Sequence, residues 1–268
     1  MTAVHDTTCL PTTGDASAAL AIAPRLAAVP DQRRPAVELD LEVVIQAFNE
    51  AERLPRTISS TAEYLAAQPW RSQIVVVDNG SSDRTAHIAR ALATAEVPVQ
   101  VVGCARPGKG AAVRRGLLRT DARHVGFVDA DLATPIETLG PVMEHLCAGA
   151  AAVIASRYVA GATLVRRQPL LRRAGGAVFR QLTQSMVAGI RDTQCGFKFF
   201  QRAAVAAAMV QCHTTGFAFD VELLSRIQAA GGSIVEVPVA WTDVPASTFR
   251  PLRDGAASFA ALLALKRG

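Results

Sequence analysis

At 268 residues the chain is long enough to bury a substantial core, as one large domain or at most two small ones. Only 5% of residues are aromatic, which offers nucleic acid little to stack against, so a nucleic-acid role rests on the formal net charge of +5 alone and is set aside. Five cysteines (Cys9, Cys104, Cys147, Cys195, Cys212) are odd in number and without a CxxC pair, which argues against a disulfide framework and a zinc cluster and for a reducing, cytoplasmic compartment.

Residues 1–38, rich in Thr, Ala, Pro and Asp, read as a disordered leader. The stretch "AALAIAP" is short, lacks a positive flank before it and is broken by Arg25, so it does not read as a signal peptide. No run approaches the ~18 apolar residues that cross a bilayer, and the chain is expected to be soluble or attached peripherally to a membrane surface.

From residue 39 the pattern changes. The β-branched runs "LEVVIQAF" (41–48), "QIVVVDNG" (73–80), "VPVQVVG" (97–103), "HVGFVDAD" (124–131) and "AAVIASR" (151–157) predict strands. Helical patterns over 50–67, 82–95, 109–119 and 136–148 separate them. This alternation predicts an α/β fold, a mainly parallel sheet with helices on both faces. Residues 160–190 suggest one or two amphipathic helices and contain the basic cluster Arg166, Arg167, Arg172, Arg173 and Arg180, which is either a solvated face or a patch for an anionic partner such as phosphate or a membrane surface. A strand is expected at 195–201, a helix at 219–232, a strand at 233–241 and a helix with one apolar face at 255–266.

Ligands of open α/β sheets bind beyond the carboxyl ends of the strands, and the acidic residues fall there. Asn49 and Glu50 follow the first strand, Asp78 the second, and Asp129 and Asp131, with Ala130 between them, the fourth. Such crowding is unfavourable without a compensating cation or donors. A hard divalent ion, Mg²⁺ or Mn²⁺, shared by Asp129, Asp131 and a diphosphate would compensate it. Each residue also has a local explanation: Asp83 as a helix N-cap, Asn79-Gly80 as a turn, Glu50 in a helix's first turn, Asp129 as a strand-end hydrogen-bonding residue.

In matching order over roughly residues 40–265, "VVIQAFNEAERLPRTI", "IVVVDNGSSDRT", "PGKGAAVRRGL", "GFVDADLAT", "ASRY", "RDTQCGFKFF" and "FAFDVELL" resemble the family 2 glycosyltransferases of the GT-A fold, in particular the dolichyl-phosphate glucosyltransferase and polyprenyl-phosphate sugar synthase branch. The resemblance implies a single Rossmann-like sheet domain over 39–268, with a nucleotide-sugar half (39–157) and an acceptor-side half (158–268). It implies a UDP-glucose or GDP-mannose donor and inversion at the anomeric carbon. Carried onto this chain, Ala47, Phe48, Asn49 and Glu50 would line the nucleoside pocket, Asp78 would contact the base, and Lys109 would approach the nucleotide. Asp129 would touch ribose or metal, Asp131 would ligate the metal, and Arg157 would face the diphosphate or the acceptor. Asp220 is the candidate general base, with Glu222 second, although Asp220 is equally readable as N-cap of a helix starting at Val221. Gln194 and Lys198 would shape the acceptor side, and Cys195 reads as a small buried hydrophobe rather than a nucleophile.

The acceptor is less legible. Relatives often carry "GSKV" before the "PLRD" element, where this chain has "ASTF" (246–249), with Arg250 as the substitute cation. A polyprenyl phosphate and a small soluble hydroxyl compound both stand, and a homodimer remains open. Two rival readings are a haloacid-dehalogenase-type phosphatase, in which "DADLAT" is the nucleophile box, and a non-catalytic sugar-nucleotide-binding module. The first is disfavoured because three strand–helix units precede the box.

Overall fold

The computed structural model describes residues 39–94, 96–164, 179–242 and 251–267. Residues 1–38, expected to be a disordered leader, four arginines of the basic cluster (Arg166, Arg167, Arg172, Arg173) and the 246–250 stretch lie outside the described residues.

The first half runs β1 (Leu41–Ala47), α1 (Leu54–Ala66), β2 (Ser72–Asp78), α2 (Thr85–Ala91), β3 (Val99–Gly103), α3 (Lys109–Leu117), β4 (His124–Asp129), a 3₁₀ turn (Ile136–Thr138), α4 (Leu139–Cys147) and β5 (Ala152–Ser156). The second half contributes β6 (Thr163–Leu164), β7 (Phe197–Gln201), α5 (Arg202–Met209), α6 (Phe219–Ala229), β8 (Ile234–Pro238), β9 (Ala240–Trp241) and α7 (Pro251–Arg267). One sheet has the order β3-β2-β1-β4-β7-β5-β8, and β6 pairs separately with β9. Every pairing in the large sheet is parallel except those of β7, which runs antiparallel to both β4 and β5. The expected mainly parallel sheet flanked by helices is the fold observed.

Because side chains alternate along a strand, β1 feeds both faces. Val43 and Ile45 join the core beneath α1 and α4, and Val44 joins the core beneath α3, α5 and α6. Each such fully buried aliphatic side chain contributes roughly 1.5–3 kcal/mol, which makes the sheet a rigid floor for whatever stands at its edge. From β1 the chain steps outward through β2 to β3, then returns to place β4 on the other side of β1. The order of connection therefore reverses between β1 and β4, the switch point beyond whose carboxyl strand ends open α/β sheets bind their ligands. The register sets Gln46 opposite Asp129, Ala47 opposite Asp78, and Asp78 opposite Gly103.

Several boundaries differ from expectation for local reasons. α1 starts at Leu54 rather than residue 50, because Asn49 adopts a left-handed φ of 55° and residues 50–53 turn before Pro55 enters the first helical turn. The run 233–241 is two strands, since Ala240–Trp241 leave the large sheet to pair with Thr163–Leu164. α5 was not anticipated: "RAAVAAAM" has high helix propensity but little polar periodicity to mark it.

Candidate active site

Asp129 ends β4 at the switch point, half-exposed. Its carboxylate is held from three sides. Lys109 Nζ, from the first turn of α3, lies 2.9 Å from Oδ1. The Gln46 side-chain amide on β1 donates to the same oxygen. Gly196, whose carbonyl accepts the Asp129 N–H at 2.9 Å, approaches so closely that a Cβ there would sit 1.7 Å from Oδ2. Lys109 is itself placed by its neighbour: Gly108 adopts a φ of 118°, and a Cβ on it would meet the Thr215 carbonyl oxygen at 2.3 Å. Burial alone would lower the Lys109 pKa, but the carboxylates of Asp129 and Asp220 outweigh it and hold the ammonium above its ordinary value.

Asp131 follows in a tight turn, its Oδ1 accepting the Ala133 N–H at 3.0 Å, while Leu132 adopts a left-handed φ of 49°. The buried Ala130 anchors the turn, its carbonyl accepting the Thr57 hydroxyl at 2.6 Å. Burial, and then the charge of Asp129, raise the Asp131 carboxyl above its ordinary range. Glu50 is raised too, first by burial and further by Asp131 and Asp129, against the opposing Arg53 guanidinium, whose Nε and Nη2 donate to it at 2.6 and 2.7 Å. The carboxylates of Glu50, Asp129 and Asp131 thus share one field at the sheet edge.

Around this centre, Ala47 ends β1 buried, and Phe48 stands 49% exposed at the rim. Asn49 accepts the Ser82 N–H at 2.8 Å and donates its own N–H to Ser81 Oγ at 2.9 Å. Asp78, at the end of β2, accepts the Ser81 N–H at 3.3 Å. Asp83 lies one residue before the N-cap position of α2, yet still accepts the Thr85 N–H at 2.9 Å and binds Ala51 N–H at 3.2 Å, joining two of the edge loops. Asn79 does more than make a turn: its amide donates to the carbonyls of Cys104 and Arg106 and accepts the Gly108 N–H, bracing the loop that delivers Lys109.

The residues expected on the acceptor side divide. Arg157 is paired with the buried Asp192 through Nε at 2.7 Å and Nη2 at 2.9 Å, and packs against the rings of Tyr158 and Trp241. Gln194 is half-buried, its backbone N–H on Asp192. Lys198 is fully buried, with Nζ 2.7 Å from Asp220 Oδ1 and a further hydrogen bond to the Cys195 carbonyl. Asp220 is not an N-cap: α6 begins at Phe219 with Ala218 at the cap position, and Asp220 lies buried inside the first turn. Glu222, also buried, accepts the backbone N–H groups of His213 and Thr214 at 2.9 and 2.8 Å and so fixes the loop before α6. Cys195 is buried, and burial pushes its thiol up to about 11, in keeping with a packing role. Gln46, Asn79, Asp192 and Gly196 were not singled out as site residues from the sequence. Of these, only Asp192 lay in a quoted motif with a charge to signal it.

The residues present suit a hard divalent cation. Asp129 and Asp131 offer carboxylate oxygens at adjoining positions, and burial first, then the charge of Asp129, oppose ionisation of Asp131, a cost that a cation beside it would offset. Among the described residues no three His, Cys, Asp or Glu side chains gather into a cage. Mg²⁺ or Mn²⁺ held by one or two carboxylates completes its shell with substrate phosphate and water.

Comparison with known proteins gives the family and the fold. The glycosyl transferase family 2 model matches residues 42–209, and the chain belongs to that family. A dolichyl-phosphate beta-glucosyltransferase of Trichomonas vaginalis is 32% identical over 213 residues, spanning 75% of this chain and 63% of that protein's length. The dolichyl-phosphate beta-glucosyltransferase of Mus musculus is 32% identical over 230 residues, spanning 79% of this chain and 70% of that protein. Glucosyl-3-phosphoglycerate synthase from Mycobacterium tuberculosis, solved with Mn²⁺, UDP and glucosyl-3-phosphoglycerate, superposes with a TM-score of 0.63 at 22% identity, covering 84% of this chain and 79% of that one. That likeness concerns the GT-A fold. With the family known, the haloacid-dehalogenase reading of "DADLAT" is withdrawn.

Proposed function

We propose that this chain is an inverting glucosyltransferase that moves glucose from UDP-glucose to the phosphate of a polyprenyl phosphate, with residues 39–157 holding the donor and 158–268 the acceptor. The observation that carries the reading is the Asp129–Asp131 pair at the switch point, with the Lys109 ammonium on Asp129. The names of the relatives that match over 75% and 79% of the chain support the sugar and the lipid phosphate.

In this reading Asp129 and Asp131 hold Mg²⁺ or Mn²⁺, which when bound supplies Lewis-acid stabilisation of the departing diphosphate. Ala47, Phe48, Asn49, Glu50 and Asp78 surround the nucleoside. Lys109 adds a fixed positive charge beside the leaving group in a partly water-excluded edge, where such a charge acts most strongly. Arg157, held rigid by Asp192, presents its guanidinium towards the incoming phosphate, with Gln194 nearby. An acceptor phosphate oxygen attacks C1 from the face opposite UDP, and the C1–O bond breaks with its electron pair passing to the diphosphate oxygen. Inversion of an α-linked donor gives a β-linked product, the linkage named in the relatives.

Asp220 bears on the choice of acceptor. A hydroxyl acceptor needs a base, whereas a phosphate is already anionic. Asp220 is 2% exposed and paired with Lys198, an arrangement better suited to a phosphate acceptor than to proton removal from an alcohol. Because a polyprenyl chain resides in a bilayer, the protein would work at a membrane surface; no described helix is long and apolar enough to cross one.

Incubation with UDP-[¹⁴C]glucose, dolichyl phosphate and Mn²⁺ in detergent tests the proposal. Label is expected in an acid-labile lipid fraction. Label appearing solely in a water-soluble glucoside, or transfer from GDP-mannose in preference, would overturn the acceptor or the donor respectively.

A further inference from the structure

One face of the sheet carries four charged side chains in alternating sign between β4, β7, α3 and α6. Asp129 meets Lys109 at 2.9 Å, the Asp220 carboxylate bears electrostatically on Lys109, and Asp220 meets Lys198 at 2.7 Å. Both ammonium groups lie over the Phe127 ring, at 5.8 and 5.2 Å from its centroid, so one aromatic floor spaces them. A lysine with 0% exposure is rare, and burying it in this place demands a partner. Asp220, paired with Lys198, also attracts the Lys109 ammonium, and the first turns of α3 and α6 meet here: a Cβ on Gly110, next to Lys109, would fall 2.4 Å from Cβ of Phe219, next to Asp220. The β7 approach ties the same group to the edge: the Gly196 carbonyl holds the Asp129 backbone, and the Cys195 carbonyl takes the Lys198 ammonium.

We propose that Lys198 and Asp220 are positioning residues for donor binding: their buried pair fixes Lys109 against Asp129, and the affinity for the nucleotide sugar depends on that placement. The inference rests on the donor site proposed above. Partners that orient a ligand-binding group from behind commonly change affinity by about 10–100-fold when removed, and that is the range expected here.

The test is a cycle on UDP-glucose affinity, measured by calorimetry with Mn²⁺. Asp220→Asn alone would strand a buried lysine, so the perturbation is the neutral pair Lys198→Gln/Asp220→Asn, whose amides can bond to one another. It is made in the parent and in the Lys109→Met background, with circular dichroism and melting temperature recorded for each protein. In the parent background the neutral pair is expected to weaken UDP-glucose binding about 10–100-fold. In the Lys109→Met background the same change should add nothing further, because the group being positioned is gone. Equal losses in both backgrounds, or no loss in the parent, would overturn the inference, leaving a pair that only stabilises the fold. If the neutral pair does not hold the native circular dichroism spectrum, Asp220→Glu, which keeps the charge but displaces the carboxylate, is read on the same cycle with the same two outcomes. Absence of UDP-glucose binding by the unmodified chain is the separate result that removes the proposed function and this inference together.

Discussion

Gly196 shows how one residue can decide the position of a charge it never contacts through a side chain. Its Cα faces the Asp129 carboxylate, and a methyl group would fall 1.7 Å from Oδ2 and 2.1 Å from Cγ. Gly196→Ala must therefore displace Asp129 or β7, and since Asp129 is also tied to Lys109 and Gln46 the shift reaches the whole centre. The expected outcome is a folded protein, destabilised by about 1–3 kcal/mol, whose Mn²⁺-dependent UDP-glucose affinity falls at least tenfold. Chemical denaturation and calorimetry on the same sample check both parts, and unchanged nucleotide affinity would show that Asp129 does not need its present orientation. The two aspartates themselves are legible in the sequence because strand end and acidic pair are adjacent in the chain. Their supports are not. Gln46 and Asp129 are 83 residues apart, and nothing local to "VVIQAF" distinguishes a polar strand residue facing solvent from one that grips a carboxylate across the sheet.

At the level of elements, β7 and the residues leading into it join the two halves of the site. Asp192 holds Arg157, Gly196 holds Asp129, and Lys198 holds Asp220, so seven consecutive positions reach both the β4 edge and Arg157. The strand itself was expected, but its antiparallel insertion between β4 and β5 was not, because an apolar run carries no record of direction. Asp192 and Arg157, 35 residues apart, were likewise not recognisable as a pair from spacing. Burial opposes ionisation of Asp192, yet the Arg157 guanidinium prevails and holds its carboxyl below the ordinary 3.8. A carboxylate whose pKa is lower folded than unfolded stabilises the fold above the unfolded value, and that contribution disappears as pH falls through the folded one. Asp192→Asn is accordingly expected to cost about 3–5 kcal/mol at neutral pH, measured by urea unfolding, with the difference from the parent narrowing below pH 3.8. A difference that stays constant across that range would mean the ion pair is not its source.

Across the whole molecule, the site follows from topology. A parallel sheet whose order reverses between β1 and β4 brings Ala47, Asp78 and Asp129 to one edge, and α3 brings Lys109 over it. The alternation of strands and helices made this much readable from the chain, since period-two and helical patterns are local properties. The surroundings of Arg157 and Asp220 were less readable, because their contacts depend on loops and on the crossing of β7. The central claim is that Asp129 and Asp131 tolerate one another by sharing a divalent ion with the donor diphosphate. Calorimetric titration of UDP-glucose into the parent and into Asp131→Ala, each with Mn²⁺ and with EDTA, tests it most directly. The account predicts tight binding by the parent that EDTA weakens, and binding by Asp131→Ala that is weak and indifferent to Mn²⁺ while its melting temperature is preserved. Full Mn²⁺-dependent affinity in Asp131→Ala would contradict it.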